Sequence, residues 1–369
     1  NEELVIASTI ASVLKVAPPA SVHVIADGCD DDTAAIARSY GVHVLERDPS
    51  RGKAGAIEFA VRELRLPQRF EALLIVDGDT ELDDQYLERA LPLLDDPAVV
   101  AVAGYARSSW RPQELSVIGR FLVAYRTRLY ALMQWIKYGQ TWRRTNVTPI
   151  VPGFASLYRT RILSRMDLNP PGLVIEDFNM TFEIHRKRLG VIAFQPDVFA
   201  LTQDPDNLHD YYRQVKRWFL GFWQTLRRHG VWPSLFSGCL ILFTLEVITA
   251  SVGIIAVIVM LLLLATPTLT GGQVLQVGEF AALHAFLESY LTVPNLLLFL
   301  FLPDYLLTCI VALAMRRPSL LLYGVGFLFL RLVDATASLW TLPQAWFVHS
   351  SGRWASPSRR PASTGDSSR

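Results

Sequence analysis

The sequence predicts an α/β domain built on a mostly parallel sheet, followed by an α-helical transmembrane region. Three observations carry this reading. Short apolar runs alternate with helix-period segments over the first hundred residues. Two of those runs end in acidic loops, Asp27-Gly28-Cys29-Asp30-Asp31-Asp32-Thr33 and Asp77-Gly78-Asp79. Charge is unevenly spread: of 35 Lys and Arg, 28 lie at or before Arg228, none falls from His229 to Met315, and seven follow.

The elements follow in order. Ile6 to Leu14 has a helical pattern. Val22 to Ala26 reads as a buried strand, and Ala34 to Tyr40 as a helix. Val42 to Leu45 is a second strand, Ala54 to Leu64 a second helix, and Ala72 to Val76 a third strand. In open α/β sheets ligands bind beyond the carboxyl ends of the strands, and both acidic loops lie there. Val100 to Val102 reads as a strand. Helices are expected over Gln113 to Tyr138, Asp177 to Leu189 and Leu208 to Arg228.

The apolar run 235–265 carries one charge, Glu246. About 20 residues span a bilayer at 1.5 Å each, so this run holds one span and an interfacial lead-in. Asn295 to Met315 is a second span, interrupted by Pro303 and Asp304 and closed by Arg316 and Arg317. The connection from Thr266 to Pro294 lacks Lys and Arg, so it lies outside and the arginine ends lie in the cytosol. Ser319 to Leu342 is long enough for a third span but contains Arg331 and Asp334. An ion pair inside a bundle and a helix lying in the interface both accommodate these charges. The expected organisation is a cytosolic domain over 1–232, transmembrane and interfacial helices over 233–349, and a cytosolic or disordered tail over 350–369. Residues 355–369, rich in Ser, Pro and Arg, carry the disorder signal.

Composition excludes several classes. The chain has 369 residues, 51% hydrophobic and 19% charged, with a mean hydropathy of +0.27. That excludes a wholly soluble enzyme, a disordered chain and a small disulfide scaffold. A net charge of +1 offers no concentrated basic surface for nucleic acid. Cys29, Cys239 and Cys309 are far apart, without metal-ligand spacing. Asn1-Glu2-Glu3 leads straight into a helical pattern, so no signal peptide is expected at this start.

Several groups could carry chemistry, each beside a blander reading. Asp77 and Asp79 follow a buried strand, and two such carboxylates can hold a divalent metal that also binds phosphate oxygens; Asp-Gly is also an ordinary turn pair. Asp27 directly follows a strand, whereas Asp32 or Thr33 suits a helix N-cap. Arg51-Gly52-Lys53-Ala54-Gly55 brings two cations to a helix start, a fair anion site. Glu176-Asp177 opens a helix, where the dipole favours acids anyway. Gln214-Val215-Lys216-Arg217-Trp218 offers phosphate pairing and sugar stacking, or simply an amphipathic helix entering the membrane.

Taken in order, Asp27-Gly28…Asp31, Gly52-Lys53-Ala54-Gly55, Asp77-Gly78-Asp79, Gly153…Arg159, Glu176-Asp177 and Gln214-Val215-Lys216-Arg217-Trp218 resemble the membrane-embedded family 2 glycosyltransferases. That group includes the synthases of cellulose, chitin, hyaluronan and poly-N-acetylglucosamine. The resemblance covers about residues 1–232. The stretch Thr202 to Leu208 looks most like the bacterial poly-N-acetylglucosamine branch. Asn1-Glu2-Glu3 looks like the end of the family's first-strand motif, so that strand, and any preceding transmembrane helix, would be missing here. Departures are Ala26 for the first of a frequent Asp pair, Cys29 and Asp30 for Ser and Thr, and Ile175 where Thr is common.

The resemblance implies a GT-A type nucleotide-sugar domain and a set of roles. Asp27 would contact the uracil of a UDP-sugar, with Lys53 nearby. Asp79, helped by Asp77, would bind Mg²⁺ or Mn²⁺ on the diphosphate. Asp177, beside Glu176, would be the general base. Gln214 and Arg217 would hold the diphosphate, and Trp218 and Gly153 the acceptor sugar. The expected reaction is inverting transfer from a UDP-sugar to a growing β-linked polysaccharide, coupled to its export. One alternative is single transfer to a membrane lipid, and another is an idle transport or scaffold subunit. The implied setting is the bacterial inner membrane, among its lipids, with a small membrane or periplasmic subunit as partner.

Overall fold

A computed structural model describes residues 1–350, 352, 359 and 360. The chain divides into two compact units, one of Asn1–Leu240 with Thr341–Arg369, the other of Ile241–Trp340.

The first unit begins with α1 (Ile6–Leu14), β1 (His23–Asp27), α2 (Thr33–Ser39), β2 (His43–Arg47), α3 (Gly52–Glu63) and β3 (Ala72–Val76). All six are legible in the sequence to within two residues. β4 (Thr80–Leu82), α4 (Tyr86–Ala90), β5 (Val99–Ser108) and α5 (Val117–Tyr130) follow, and α5 runs on in wider turns over Ala131–Tyr138. Then come β6 (Ala155–Arg159), α6 (Glu176–Arg186), β7 (Val191–Thr202) and α7 (Leu208–His229). β1 and β2 form a parallel pair, and the remaining strands form a sheet of order β3-β6-β5-β7-β4. β5 runs parallel to β7, whereas β6 lies antiparallel between β3 and β5, and β4 pairs antiparallel with β7. The α/β class stands, and its pairing is mixed where alternation alone suggests a mostly parallel sheet. Strand direction depends on how β6 and β4 return to the sheet, which periodicity does not encode.

Residues of β5, β6 and β7 are buried on both faces. Their core continues into Tyr158, Ile162, Met180 and Ile184 on one side and Tyr86, Leu94 and Val198 on the other. Gly104 is required at the β5–β6 crossing, because a Cβ there would stand 1.9 Å from the Ala155 carbonyl oxygen. Its β5–β7 register shifts at the same point. This rigid centre sends β3 out toward Asp77 and sets α6 beside it, so two acidic segments far apart in sequence meet.

α7 starts where the Asn207 side chain accepts a hydrogen bond from the Asp210 N–H at 2.9 Å. It stops at Gly230, whose φ is +62°.

In the second unit, α8 (Leu235–Leu269, beginning in the first unit), α9 (Gly278–Tyr290), α10 (Val293–Ala314), α11 (Ser319–Gly324) and α12 (Phe327–Phe347, ending in the first unit) follow. Among the described residues, α8 and α10 are long and apolar enough to cross a membrane. At 35 residues α8 is about 52 Å long, more than a bilayer core needs, as the sequence anticipates. The third candidate span divides into α11 and α12. Arg331 pairs with Asp304 of α10 at 3.1 Å, with Asp304 buried. The interrupting acid of one helix thus meets the charge of the other, in line with the ion-pair reading.

That pair generates a prediction. Asp304→Leu leaves Arg331 uncompensated in an apolar setting and should destabilise the second unit by a few kcal/mol. The double variant Asp304→Leu/Arg331→Leu should recover most of the loss. Thermal unfolding in detergent reads both, and a double variant no more stable than the single would show that the pair is not a unit.

Candidate active site

The site is built around one ammonium group. Lys53, in the first turn of α3, reaches Asp77 Oδ1 at 2.5 Å, Glu176 Oε1 at 3.0 Å and the Gly153 carbonyl at 2.8 Å. Asp77 stands just beyond β3, its N–H donating to the Phe154 carbonyl at 2.8 Å. Glu176 and Asp177 form the first turn of α6, with Ile175 as N-cap. The Gly153 N–H donates to Asp177 Oδ2 at 3.3 Å, and the Phe178 N–H to Asp177 Oδ1 at 2.7 Å. Lys53, Gly153, Asp77, Glu176 and Asp177 therefore form one connected cluster. A Cβ on Gly153 would lie 2.7 Å from both Glu176 Oε1 and Lys53 Nζ, so a side chain there would push the ends of these two side chains aside.

The neighbouring acids differ in charge state. Burial works to raise Glu176, but the Lys53 charge overrides it and holds Glu176 below its ordinary value. Asp177 is pushed up to about 7 by burial and by the Glu176 charge, with Lys53 and its hydrogen bonds opposing. Two carboxyls driven apart in this way are suited to separate tasks. Arg217 of α7 feels Glu176, Asp177, Asp77 and Asp79 in that order, while burial lowers its basicity. It brings the positive charge of α7 to bear on the same acids.

Asp79 is one step away. Its Oδ2 accepts from Arg359 at 2.6 Å, and Arg359 also binds Glu2 at 2.9 Å. Burial, with the charges of Asp77 and Glu2, lifts Asp79 to about 6 against the pull of Arg359. Arg360 pairs with Asp206 at 3.5 Å, and its N–H donates to Gln203 Oε1 at 2.8 Å. The sequence points to neither arginine, because they stand in a Ser/Pro/Arg-rich stretch without periodicity. The rest of that stretch, where disorder is expected, lies outside the described residues.

Gln214 and Trp218 are joined by a residue that sequence reasoning misses. Arg126 of α5 is fully buried, donates to Gln214 Oε1 at 2.7 Å, and lies 4.2 Å from the Trp218 ring centroid. The only signal for it is an arginine repeated among aromatics along α5. Asp27 is set apart from the cluster. Ser50 Oγ donates to it at 2.7 Å, the Arg51 N–H at 3.1 Å, and Arg47 Nε lies 3.9 Å away. It fastens the end of β1 to the loop that starts α3, the helix that carries Lys53.

Comparison with known proteins gives the family. Residues 1–221 match the model of the glycosyltransferase-like family 2, and the chain belongs to that family. It is thus an enzyme of the GT-A class. It is 33% identical over 96 residues to a dolichyl-phosphate hexose transferase of Haloferax volcanii, a match covering 26% of this chain and 40% of that protein. Among solved structures it is similar to the mannosyltransferase PcManGT from Pyrobaculum calidifontis, in complex with GDP-Man and Mn²⁺, at 19% identity and a TM-score of 0.49. That match covers 92% of this chain and 84% of the other. S. aureus TarS in complex with UDP-GlcNAc matches at 16% identity and a TM-score of 0.39, over 62% and 68% of the two chains.

The cluster predicts a stability cost. Lys53→Met leaves Asp77 and Glu176 without their shared cation and should destabilise the first unit by roughly 3 kcal/mol. Adding Glu176→Gln to that variant should recover part of the loss. A Lys53→Met protein as stable as the wild type in a thermal melt would mean that the ammonium does not hold the cluster.

Proposed function

We propose that the chain transfers a sugar, with inversion, from a UDP-sugar to a hydroxyl of a growing β-linked glycan at the membrane, with Asp177 as general base. The observation that carries this reading is the split between the paired acids. Glu176 stays ionised against Lys53, while Asp177 is pushed up to about 7. A base with a pKa near the working pH combines availability with proton affinity.

Atoms and charges balance simply. The acceptor oxygen bonds to the anomeric carbon from the face opposite the diphosphate. The bond from that carbon to the diphosphate oxygen breaks, and its electron pair leaves with the nucleotide. The hydroxyl proton passes to Asp177. Attack opposite the leaving group turns an α-linked donor into a β-linked product. Arg217, whose charge interacts with the four acids, would offset charge on the departing diphosphate. Asp27 would take the base of the nucleotide, Gln214 the diphosphate, and Trp218 with Gly153 the acceptor.

Asp77 and Asp79 suit Mg²⁺ or Mn²⁺, being hard oxygen donors two residues apart at a strand end. Asp79 already carries a cationic partner, Arg359, which is the charge such a position calls for. When bound, the metal would supply Lewis-acid neutralisation of the diphosphate.

A second reading, single transfer to a membrane lipid phosphate, is favoured by the name of the Haloferax volcanii relative. A lipid phosphate is already anionic and needs no base. The two α8 and α10 candidate spans support a membrane setting for either acceptor.

Asp177→Asn should lose about 10²–10⁴-fold in transfer and still bind UDP. In the wild type kcat/KM should be full above pH 7 and fall about tenfold per unit below it, since the base must be deprotonated to accept a proton. Loss of UDP binding in the variant, or a flat profile between pH 5 and 8, would count against the assignment. Membranes given a panel of UDP-sugars with Mn²⁺ should yield an oligosaccharide ladder, abolished by EDTA and restored by Mn²⁺. A single glycolipid product would shift the reading to the lipid acceptor, and full activity in EDTA would remove the metal role.

A further inference from the structure

We infer that Gly221 of α7 is a positioning residue for the general base, because it lets α7 press directly on the residue that caps the base-bearing helix. This inference rests on the assignment of Asp177 given above.

One face of α7 explains the arrangement. Gln214, Arg217, Gly221, Gln224 and Arg228 recur at intervals of three and four, so they form one stripe along the helix. Its first part carries Gln214, which accepts from Arg126, and Arg217, whose charge interacts with the four acids. The second half of α7 grips the segment in which Glu176 and Asp177 lie. Gln224 Oε1 accepts from the Val174 N–H at 3.0 Å. Phe222 packs edge-on against Phe178 with ring centroids 5.5 Å apart. His229 Nε2 meets Asn179 Oδ1 at 2.9 Å, and Arg228 reaches Asp167 at 2.6 Å. Val174, Phe178 and Asn179 flank Glu176 and Asp177 on either side, so α7 holds both ends of the catalytic turn.

Gly221 sits at the centre of that grip. A Cβ there would lie 2.7 Å from Ile175 Cδ1, 2.8 Å from Ile175 Cβ and 2.8 Å from Ile175 Cγ1. Ordinary carbon contacts are about 3.5–4.0 Å, so one added methyl must drive the two segments apart by roughly 1 Å. Ile175 is buried and is the N-cap of α6, immediately before Glu176. Its displacement carries the first turn of α6 with it. The Gly153 N–H to Asp177 contact is already long at 3.3 Å and has little reach to lose. A 1 Å misplacement of a reacting group can cost about 10²-fold in rate.

A purely structural role predicts something different. Alanine is a better helix former than glycine, so Gly221→Ala in mid-helix would be neutral or favourable if only α7 itself mattered. Gly238 provides the control: nothing lies within 4 Å of a Cβ at that position, and Gly238→Ala should leave transfer unchanged.

The experiment measures transfer by the full-length protein in membranes for the wild type, Gly221→Ala, Ile175→Ala, Gly221→Ala/Ile175→Ala and Gly238→Ala. UDP binding and the pH profile of kcat/KM are read alongside. Gly221→Ala should lower kcat about 10²-fold, leave UDP binding within about twofold and shift the acid limb of the profile. Adding Ile175→Ala removes two of the three crowded atoms and should recover kcat about tenfold or more. Normal kcat in Gly221→Ala, or no recovery in the double variant, overturns the inference. If Gly221→Ala loses UDP binding, Gln224→Met is the second test, since it frees the Val174 N–H from the same stripe. It should lower kcat with UDP binding kept, and an unchanged kcat overturns the inference. Absence of transfer in the wild type, or full transfer in Asp177→Asn, strikes the proposed function instead.

Discussion

The Lys53 ammonium is the interaction on which the rest of the site depends. It draws Asp77 from the end of β3, Glu176 from the start of α6 and the Gly153 carbonyl into one contact set. Without a central cation, these acids and Asp177 would repel at short range in a setting that solvates them poorly. With it, Glu176 stays charged, while burial and the Glu176 charge push Asp177 up to about 7. The charge pattern is therefore a consequence of packing. Gly153, without a side chain, leaves the ends of Lys53 and Glu176 in place, and the rigid β5–β6–β7 centre fixes the distance between β3 and α6.

Much of this was legible in the sequence. Asp77, Asp79, Glu176, Asp177 and Lys53 could be named because each stands at a strand end or a helix start, where local pattern and chemistry coincide. Helices and strands up to β3 were legible because their periodicities are clean. The antiparallel insertion of β6 was not, since pairing partners are set by long-range packing. Arg126 was hidden for a related reason: an arginine on a helix reads as solvated surface, and its complete burial against Gln214 and Trp218 depends on α5 meeting α7. Arg359 was hidden because its surroundings have the composition of a disordered tail, while its ionic partners, Glu2 and Asp79, lie at the other end of the chain.

Two further features tie the catalytic unit together. Asp79 is held by the Arg359 guanidinium from the far end of the sequence. α7 carries Gln214 and Arg217 in its first half and holds the segment from Val174 to Asn179 with Gln224 and His229 in its second. Gln214, Arg217 and the residues that hold the first turn of α6 are thus parts of one packed helix.

The central claim is that burial and the Glu176 charge push Asp177 up to about 7, above Asp79 at about 6. Difference infrared titration of the carboxyl bands tests it directly, on the protein in detergent without donor. A step near pH 7 should be present in the wild type and absent from Asp177→Asn. Carboxyl bands that all titrate below pH 5, or a step near pH 7 that survives in Asp177→Asn, would contradict it.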